Sequence, residues 1–380
     1  MRLLLPAPGC DCHRCPFFMG DPGAGVPPGP EPVCSGSSSS CSYCGCAASA
    51  SPSAPAPCRN CPVRCGSRRD IADWVADVGG TLTFDDIPAL GDVPAGLPRF
   101  VPQLDANTVE ALDTSLGWGA YALGMRRWLS PTTHDLYPRY ERYSCAREAL
   151  GLAPGGPQLA VLVGYGEDPL VEAFWTRRLE LGLIERLAGQ QWDLVLTPNF
   201  SMYANQPRTE HLLNFRRNLV LAAELVAAGV PAVPNIYWAR KEDLDRYVAW
   251  AEDVSPPALA VNLQTFRTED DWVGTALPGL TYLSLCLPEQ TKLVFTGGTR
   301  PNRLADLGRL FADRWWYVSQ KPVQAARHGR HLTAEGEAAV YARPEDLFAS
   351  NVRFAAGLVE RAGLLGPTVP ASTPREDVTP

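Results

Sequence analysis

The chain is poor in histidine, with five in 380 residues, and it has only four methionines. It carries no surplus of positive charge, having 34 basic against 41 acidic residues and a net charge of −7. That balance excludes a polycationic binder of nucleic acid or anionic lipid and leaves such partners to a local patch. No apolar run approaches membrane-spanning length. The opening MRLLLPAPG is too short in apolar residues for a signal peptide, so the sequence reads as cytoplasmic, with Met19 as an alternative start. None of the predicted strands described below ends in His or Cys, which leaves a three-histidine hydrolase and a cysteine nucleophile without support.

What the chain does have is a hydrophobic content of 46%, enough for a sizeable core. Its cysteines are unevenly placed, with ten of the twelve before residue 66. Residues 1–66 form a Cys-rich, low-complexity segment with runs such as GDPGAGVPPGPEP and SGSSSS, which are expected to be largely disordered. Residues 67–365 have globular composition. Residues 366–380, ending PASTPREDVTP, read as a disordered tail.

Within the globular part, eight short apolar runs suggest strands: FVPQL (100–104), AYALGM (120–125), LAVLVGY (159–165), DLVLTPN (193–199), AVPNIYW (232–238), LAVNLQT (259–265), KLVFTGG (292–298) and WWYVSQK (315–321). Helical spacing of apolar residues follows the third, fourth, fifth and seventh runs, and Gly229 stands where a helix stops. Strand–helix alternation predicts parallel strands with helices outside, and eight repeats favour a (β/α)8, TIM-like α/β barrel. An open six-stranded sheet is the structural rival. The two differ in the neighbours they give the first strand.

In such a barrel, ligand groups come from the carboxyl ends of the strands and the loops beyond. Nearly every predicted strand ends polar, and Asn235 and Asn262 lie inside apolar runs. A buried amide without a partner costs about 1 to 3 kcal/mol. These amides therefore pair either with one another and nearby backbone or with a ligand. Substrate contacts are expected from Asn199, Ser201, Tyr203, Arg208, Asn235, Asn262, Gln264, Thr299, Arg300 and Lys321. The turn TGGTRPNR suits phosphate, because its glycines admit a close backbone approach and a helix starts just after it; it also suits an ordinary tight turn. Glu167, Asp168 and Asp105 are the candidate acid–base groups, although Asp168 before Pro169 is also a good helix start. Cys145 and Cys286 read as packing thiols, and Arg216 and Arg217 of NFRRN as a solvated outer face.

Cys41, Cys44, Cys58 and Cys61 have C-x2-C-x13-C-x2-C spacing, which matches a zinc ribbon. Cys58, Cys61 and Cys65 form a compact C-x2-C-x3-C group that an iron–sulfur cluster would also use. Unselected cysteines in a biased extension are the third reading. Arg59, Arg64, Arg68 and Arg69 beside them form the local basic patch through which this segment would touch nucleic acid.

The run LTPNFSMYANQPRTEHLLNFRRN followed by GVPAVPNIYW resembles domain-of-unknown-function family four-four-one-seven, met in phages and actinobacteria. The resemblance spans about residues 155 to 325 and implies a shared fold and a pocket around Asn199, Ser201, Tyr203, Arg208 and Asn235. It transfers no activity and does not reach the cysteine segment. Two functions are therefore expected to compete. One is an enzyme acting on a small phosphate-bearing or nucleotide-like substrate at the carboxyl ends of the strands. The other is a metal-binding, nucleic-acid-associated accessory protein of a phage or mobile element.

Overall fold

The structure is a computed structural model and describes residues 20, 22–29, 71–88, 90, 93–104, 116–202, 208–298 and 300–366. The apolar runs become parallel strands: β1 (Phe100–Leu104), β2 (Ala120–Gly124), β3 (Leu159–Val163), β4 (Leu194–Leu196), β5 (Ala232–Val233), β6 (Asn235–Ile236), β7 (Ala258–Asn262), β8 (Lys292–Thr296) and β9 (Trp315–Ser319). They make one nine-stranded sheet in the order β5-β4-β3-β2-β1-β9-β8-β7-β6. Strand β1 pairs in parallel with β2 on one side and β9 on the other, which rules out the open arrangement in which it lies elsewhere. The two end strands, β5 and β6, are separated in sequence by Pro234 alone, so the sheet is nearly closed and barrel-like.

The predicted strand at 232–238 is therefore broken in two. Pro234 has no N–H to donate and interrupts the ladder. Before it, Thr197 N–H bonds the Val233 carbonyl, at 3.0 Å; after it, Ala260 N–H bonds the Pro234 carbonyl, at 2.8 Å. The helix expected after β3 is likewise two helices, Asp168–Arg177 and Leu183–Gln190. Gly182 between them takes φ +57, a left-handed conformation that ends one helix and lets the next begin at a new angle. Helix Arg208–Ala227 stops before Gly229 as expected, with that glycine at φ +83. Helix Leu277–Cys286 lies between β7 and β8; LPGLTYLSLC is apolar nearly all round and shows no one-sided stripe to betray it. After β9 come helix Lys321–Arg327, the antiparallel hairpin β10 (Arg330–Thr333) with β11 (Gly336–Ala339), and helix Pro344–Gly363.

Period-two alternation along the strands sorts the apolar residues into two cores. One face of the sheet carries Val101, Ala120, Ala122, Val161, Val163, Leu194, Leu196, Val233, Ala258, Ala260, Val294 and Val318 in a single cluster. The other face carries larger groups, among them Phe100, Tyr121, Leu162, Leu259, Phe295 and Trp315, which pack against the helices. Small side chains on the concave face are what a strongly curved sheet has room for. Leu97, just before β1, joins the inner cluster.

Arg216 and Arg217 do not form a solvated face. Both are 1% exposed, because each is met by a carboxylate and by further acceptors. Arg216 donates to the carbonyls of Val78 and Thr83 and to both oxygens of Asp86, fastening the segment before β1 onto helix Arg208–Ala227. Arg217 donates to both oxygens of Glu172 and to Asn214 Oδ1. Cys145 is buried, as a packing thiol should be. Among the described residues no helix is long and apolar enough to cross a membrane.

Candidate functional site

The inward positions do not end with the strands. Two residues beyond the last inner apolar position of a strand, the chain places Gln103, Gly124, Tyr165, Asn235, Asn262, Thr296 and Gln320. These close the carboxyl end of the barrel-like sheet with polar groups, arranged in two layers.

The lower layer is saturated within the protein. The Tyr165 hydroxyl donates to Asn235 Oδ1, and Asn235 Nδ2 donates to the Thr197 carbonyl. The Asn235 N–H donates to Thr197 Oγ1, at 2.9 Å, and the residue has no exposed surface. Asn235 thus pairs with its neighbours, which is the internal alternative the sequence left open, and it ties β3, β4 and β6 together. Burial pushes the Tyr165 phenol far above its ordinary value, so it stays protonated at neutral pH.

Above this layer is a cleft of about 500 Å³, within the range of small-molecule sites. Gln103, Gln264, Gln320, Gln324 and Asn262 line it, with Arg126, Arg127 and Glu167 at its edge. Asn262 Oδ1 accepts from the Gln264 N–H, at 3.0 Å, and caps the short turn that follows β7. The four glutamine side chains have no hydrogen-bond partner among the described residues. Gln103 can lie where it does because position 124 is glycine: a Cβ there would stand 2.9 Å from Gln103 Nε2. Arg126 Nη1 is 2.8 Å from Glu167 Oε1, and both side chains are more than half exposed, at 59% and 53%.

The remaining expected site residues are dispersed. Asn199 and Ser201 fall one residue out of phase with the inner positions. Ser201 Oγ donates to Asp168 Oδ1, and Asn214 Nδ2 bonds the Ser201 carbonyl, so these polar groups join the helices outside the strands rather than the mouth. Asn199 Oδ1 is buried without a hydrogen-bond partner. Lys321 is tied to Glu337 of the hairpin, and that contact holds the Glu337 carboxyl below its ordinary value. Arg300 lies in an adjoining cavity that Gln264 also lines. Asp105, Tyr203, Thr299 and the cysteines Cys41, Cys44, Cys58, Cys61 and Cys65 lie outside the described residues, as does the side chain of Arg208.

Sequence reasoning missed Arg126, Arg127 and Gln324 in the mouth, and Arg267 and Arg303 in the adjoining cavity. The first two were within reach: AYALGMRRW needed only to be followed two residues past the end of its strand.

Fold and mouth together define an α/β, barrel-like protein with a polar cleft at the carboxyl ends of its strands. Residues 159–255 match the family model described as Domain of unknown function (DUF4417). The match runs from β3 through helix Lys241–Val254 and bears out the family resemblance over a shorter span than the sequence motif suggested. No curated protein matches the chain. Among solved structures, a cube-shaped, highly porous protein cage designed by fusing symmetric oligomeric domains is similar at a TM-score of 0.40 and 14% identity, over 70% of this chain and 73% of that one. A native KDPGal structure is similar at a TM-score of 0.39 and 15% identity, over 71% of this chain and 98% of that one.

Proposed function

We propose that β5 and β6 are the two halves of one strand interrupted at Pro234, so that the protein is a (β/α)8 barrel, and that its mouth binds and transforms a small phosphate-bearing or nucleotide-like substrate. One observation carries this reading: four glutamine side chains, from β1, from the turn after β7 and from the end of β9 and the helix after it, meet at one cleft with their amides unpartnered among the described residues. Packing alone does not call for that. Amides that both donate and accept suit hydroxyl groups and heterocycle edges, and Arg126 and Arg127 add positive charge at the rim.

Glu167 is the one carboxylate among the described residues lining the cleft, which makes it the candidate proton acceptor. Arg126 orients it and is positioned to give it up when a ligand anion competes for the guanidinium. Asp168, engaged with Ser201 at the start of helix Asp168–Arg177, has the weaker case. For residues 1–66, which lie beyond this geometry, the cysteine spacing supports a zinc site, with an iron–sulfur cluster as the alternative. Elemental analysis and the visible spectrum of the full chain separate them.

Calorimetric titration with a panel of sugar phosphates and nucleotides tests the mouth. A binding member should lose about three- to tenfold in affinity on Gln264→Ala or Gln320→Ala, the worth of one neutral hydrogen bond. Glu167→Gln should keep the affinity and lower turnover by about 10² or more. A panel in which nothing binds, or whose binding ignores both glutamine substitutions, would remove the proposal.

A further inference from the structure

Beside the mouth lies a second cavity of about 270 Å³, bounded by the turn after β7, by Trp272 and by the segment that joins β8 to helix Pro301–Phe311. Three arginines, Arg267, Arg300 and Arg303, line it. Arg303 is 8% exposed and held rigidly. Its Nη1 donates to the Phe266 carbonyl at 2.6 Å and its Nη2 to the Thr268 carbonyl at 2.7 Å. Its guanidinium carbon lies 4.7 Å from the centroid of the Trp272 ring. Its Nε is buried without an acceptor, and its Nη2 lies 3.7 Å from the carboxylate of Glu269, which is 57% exposed. Arg267 and Arg300 are exposed and have no ion-pair partner among the described residues.

A chain with net charge −7 thus gathers three guanidinium groups around one small cavity, and the carboxylates that act on them, Glu269 and Asp271, both act on Arg303. Burial of a cation is costly unless it is paired, and Arg303 has carbonyl acceptors together with the ion pair to Glu269. Arg267 and Arg300 have no such counter-charge among the described residues, which leaves the cavity wall suited to an anion. Gly297, at φ +151, and Gly298 let the backbone run close along the wall, and the amino end of an eleven-residue helix points the same way. Gln264 lines this cavity and the mouth alike, so the two are neighbouring compartments of one site.

We infer that the Arg267–Arg300–Arg303 cavity is the phosphoryl subsite of the barrel mouth, receiving the phosphate monoester end of a ligand whose polar body lies among the glutamines. This rests on the mouth reading above and assigns the anion to a definite place. The phosphoryl group goes to the turn after β7 and the start of the helix after β8, not to Lys321, which Glu337 already holds. A dianion with three terminal oxygens matches three guanidinium groups better than a monocarboxylate does.

The test is a titration of the full-length protein with inorganic phosphate, followed by calorimetry and by broadening of the phosphorus NMR line, with acetate as the carboxylate comparison. Saturable phosphate binding is expected. Arg267→Ala and Arg300→Ala should each weaken it about tenfold or more. Arg309→Ala, which removes the same charge from the exposed face of the same helix, should leave it unchanged. Circular dichroism of each variant checks that the fold survives.

Phosphate that fails to saturate, that binds no better than acetate, or that responds equally to Arg309→Ala overturns the assignment. An organic phosphate that binds the Arg267→Ala/Arg300→Ala protein as tightly as wild type, yet loses affinity on Gln320→Ala, also overturns the subsite and leaves the mouth reading standing. Phosphate binding of the expected pattern, with no organic phosphate or nucleotide bound, supports the subsite and overturns the mouth reading.

Discussion

The guanidinium of Arg217 lies 3.7 Å from the centroid of the Phe200 ring, while its two terminal nitrogens reach the two oxygens of Glu172 at 3.0 and 2.6 Å. This contact joins helix Arg208–Ala227 to helix Asp168–Arg177 and to the segment leaving β4, beneath the Ser201–Asp168 pair. Both ionic groups are buried, so each depends on the other. Glu172→Ala should cost about 3 to 5 kcal/mol, because it leaves a buried cation without its counter-ion. Glu172→Leu combined with Arg217→Met should recover most of that loss. Urea denaturation of the three proteins measures it, and a double variant less stable than Glu172→Ala would show that the pair is not the source of the cost.

The Arg216–Asp86 contact makes stability depend on pH. The hydrogen bond from Arg216 holds the Asp86 carboxyl below its ordinary value of 3.8. A carboxylate with a depressed folded-state pKa contributes stability above its unfolded pKa, and that contribution fades as pH falls through the lower folded value. Asp86→Asn should therefore destabilise the protein at pH 7 and by clearly less at pH 3. A penalty that stays constant between the two pH values would contradict the coupling.

Two glycines should respond oppositely to alanine. A Cβ at Gly308 would stand 1.9 Å from the Ala362 carbonyl oxygen, where helices Pro301–Phe311 and Pro344–Gly363 cross. The backbone there has little room to retreat, so Gly308→Ala should cost about 3 kcal/mol or more. At Gly124 the obstacle is only the end of the Gln103 side chain. Gly124→Ala should leave the melting temperature nearly unchanged and displace Gln103, which alters ligand affinity at the mouth. Thermal unfolding separates the two cases.

Tyr165→Phe removes the donor to Asn235 Oδ1, an atom of a residue with no exposed surface. The expected cost is about 1 to 3 kcal/mol. Tyr165 also lines the cleft, but its hydroxyl is turned to Asn235 and the ring remains in the variant, so ligand contacts should suffer less than stability does. Equilibrium unfolding alongside ligand titration checks both halves. A variant of unchanged stability would mean that water takes the place of the hydroxyl.

The strands were legible wherever apolar residues alternate or run on between turn residues. FVPQL became β1 with the bounds expected of it, and AYALGM became β2, which ends one residue earlier, at Gly124. The polar mouth was legible for the same reason, since the alternation that puts Val101 and Ala260 inside also points Gln103 and Asn262 inward. Pro234 and Gly182 were visible as residues but not as breaks. A proline in a strand can sit at an edge, and a glycine in a helix can be tolerated. The burial of Arg216 and Arg217 was hidden because nothing near them in sequence marks Asp86 or Glu172 as partners.

The sequence by itself determined where the strands of the main sheet lie and which strand positions share a face, because side-chain periodicity is a property of a few consecutive residues. Only the tertiary structure decided which polar groups satisfy one another and which are left for a ligand. Asn235 finds Tyr165 across 70 residues of chain, and Arg216 finds Asp86 across 130. The glutamines that converge at the mouth find no such partner among the described residues. Pairings over such separations are set by how the strands are ordered and curved around the core, and no local pattern encodes that.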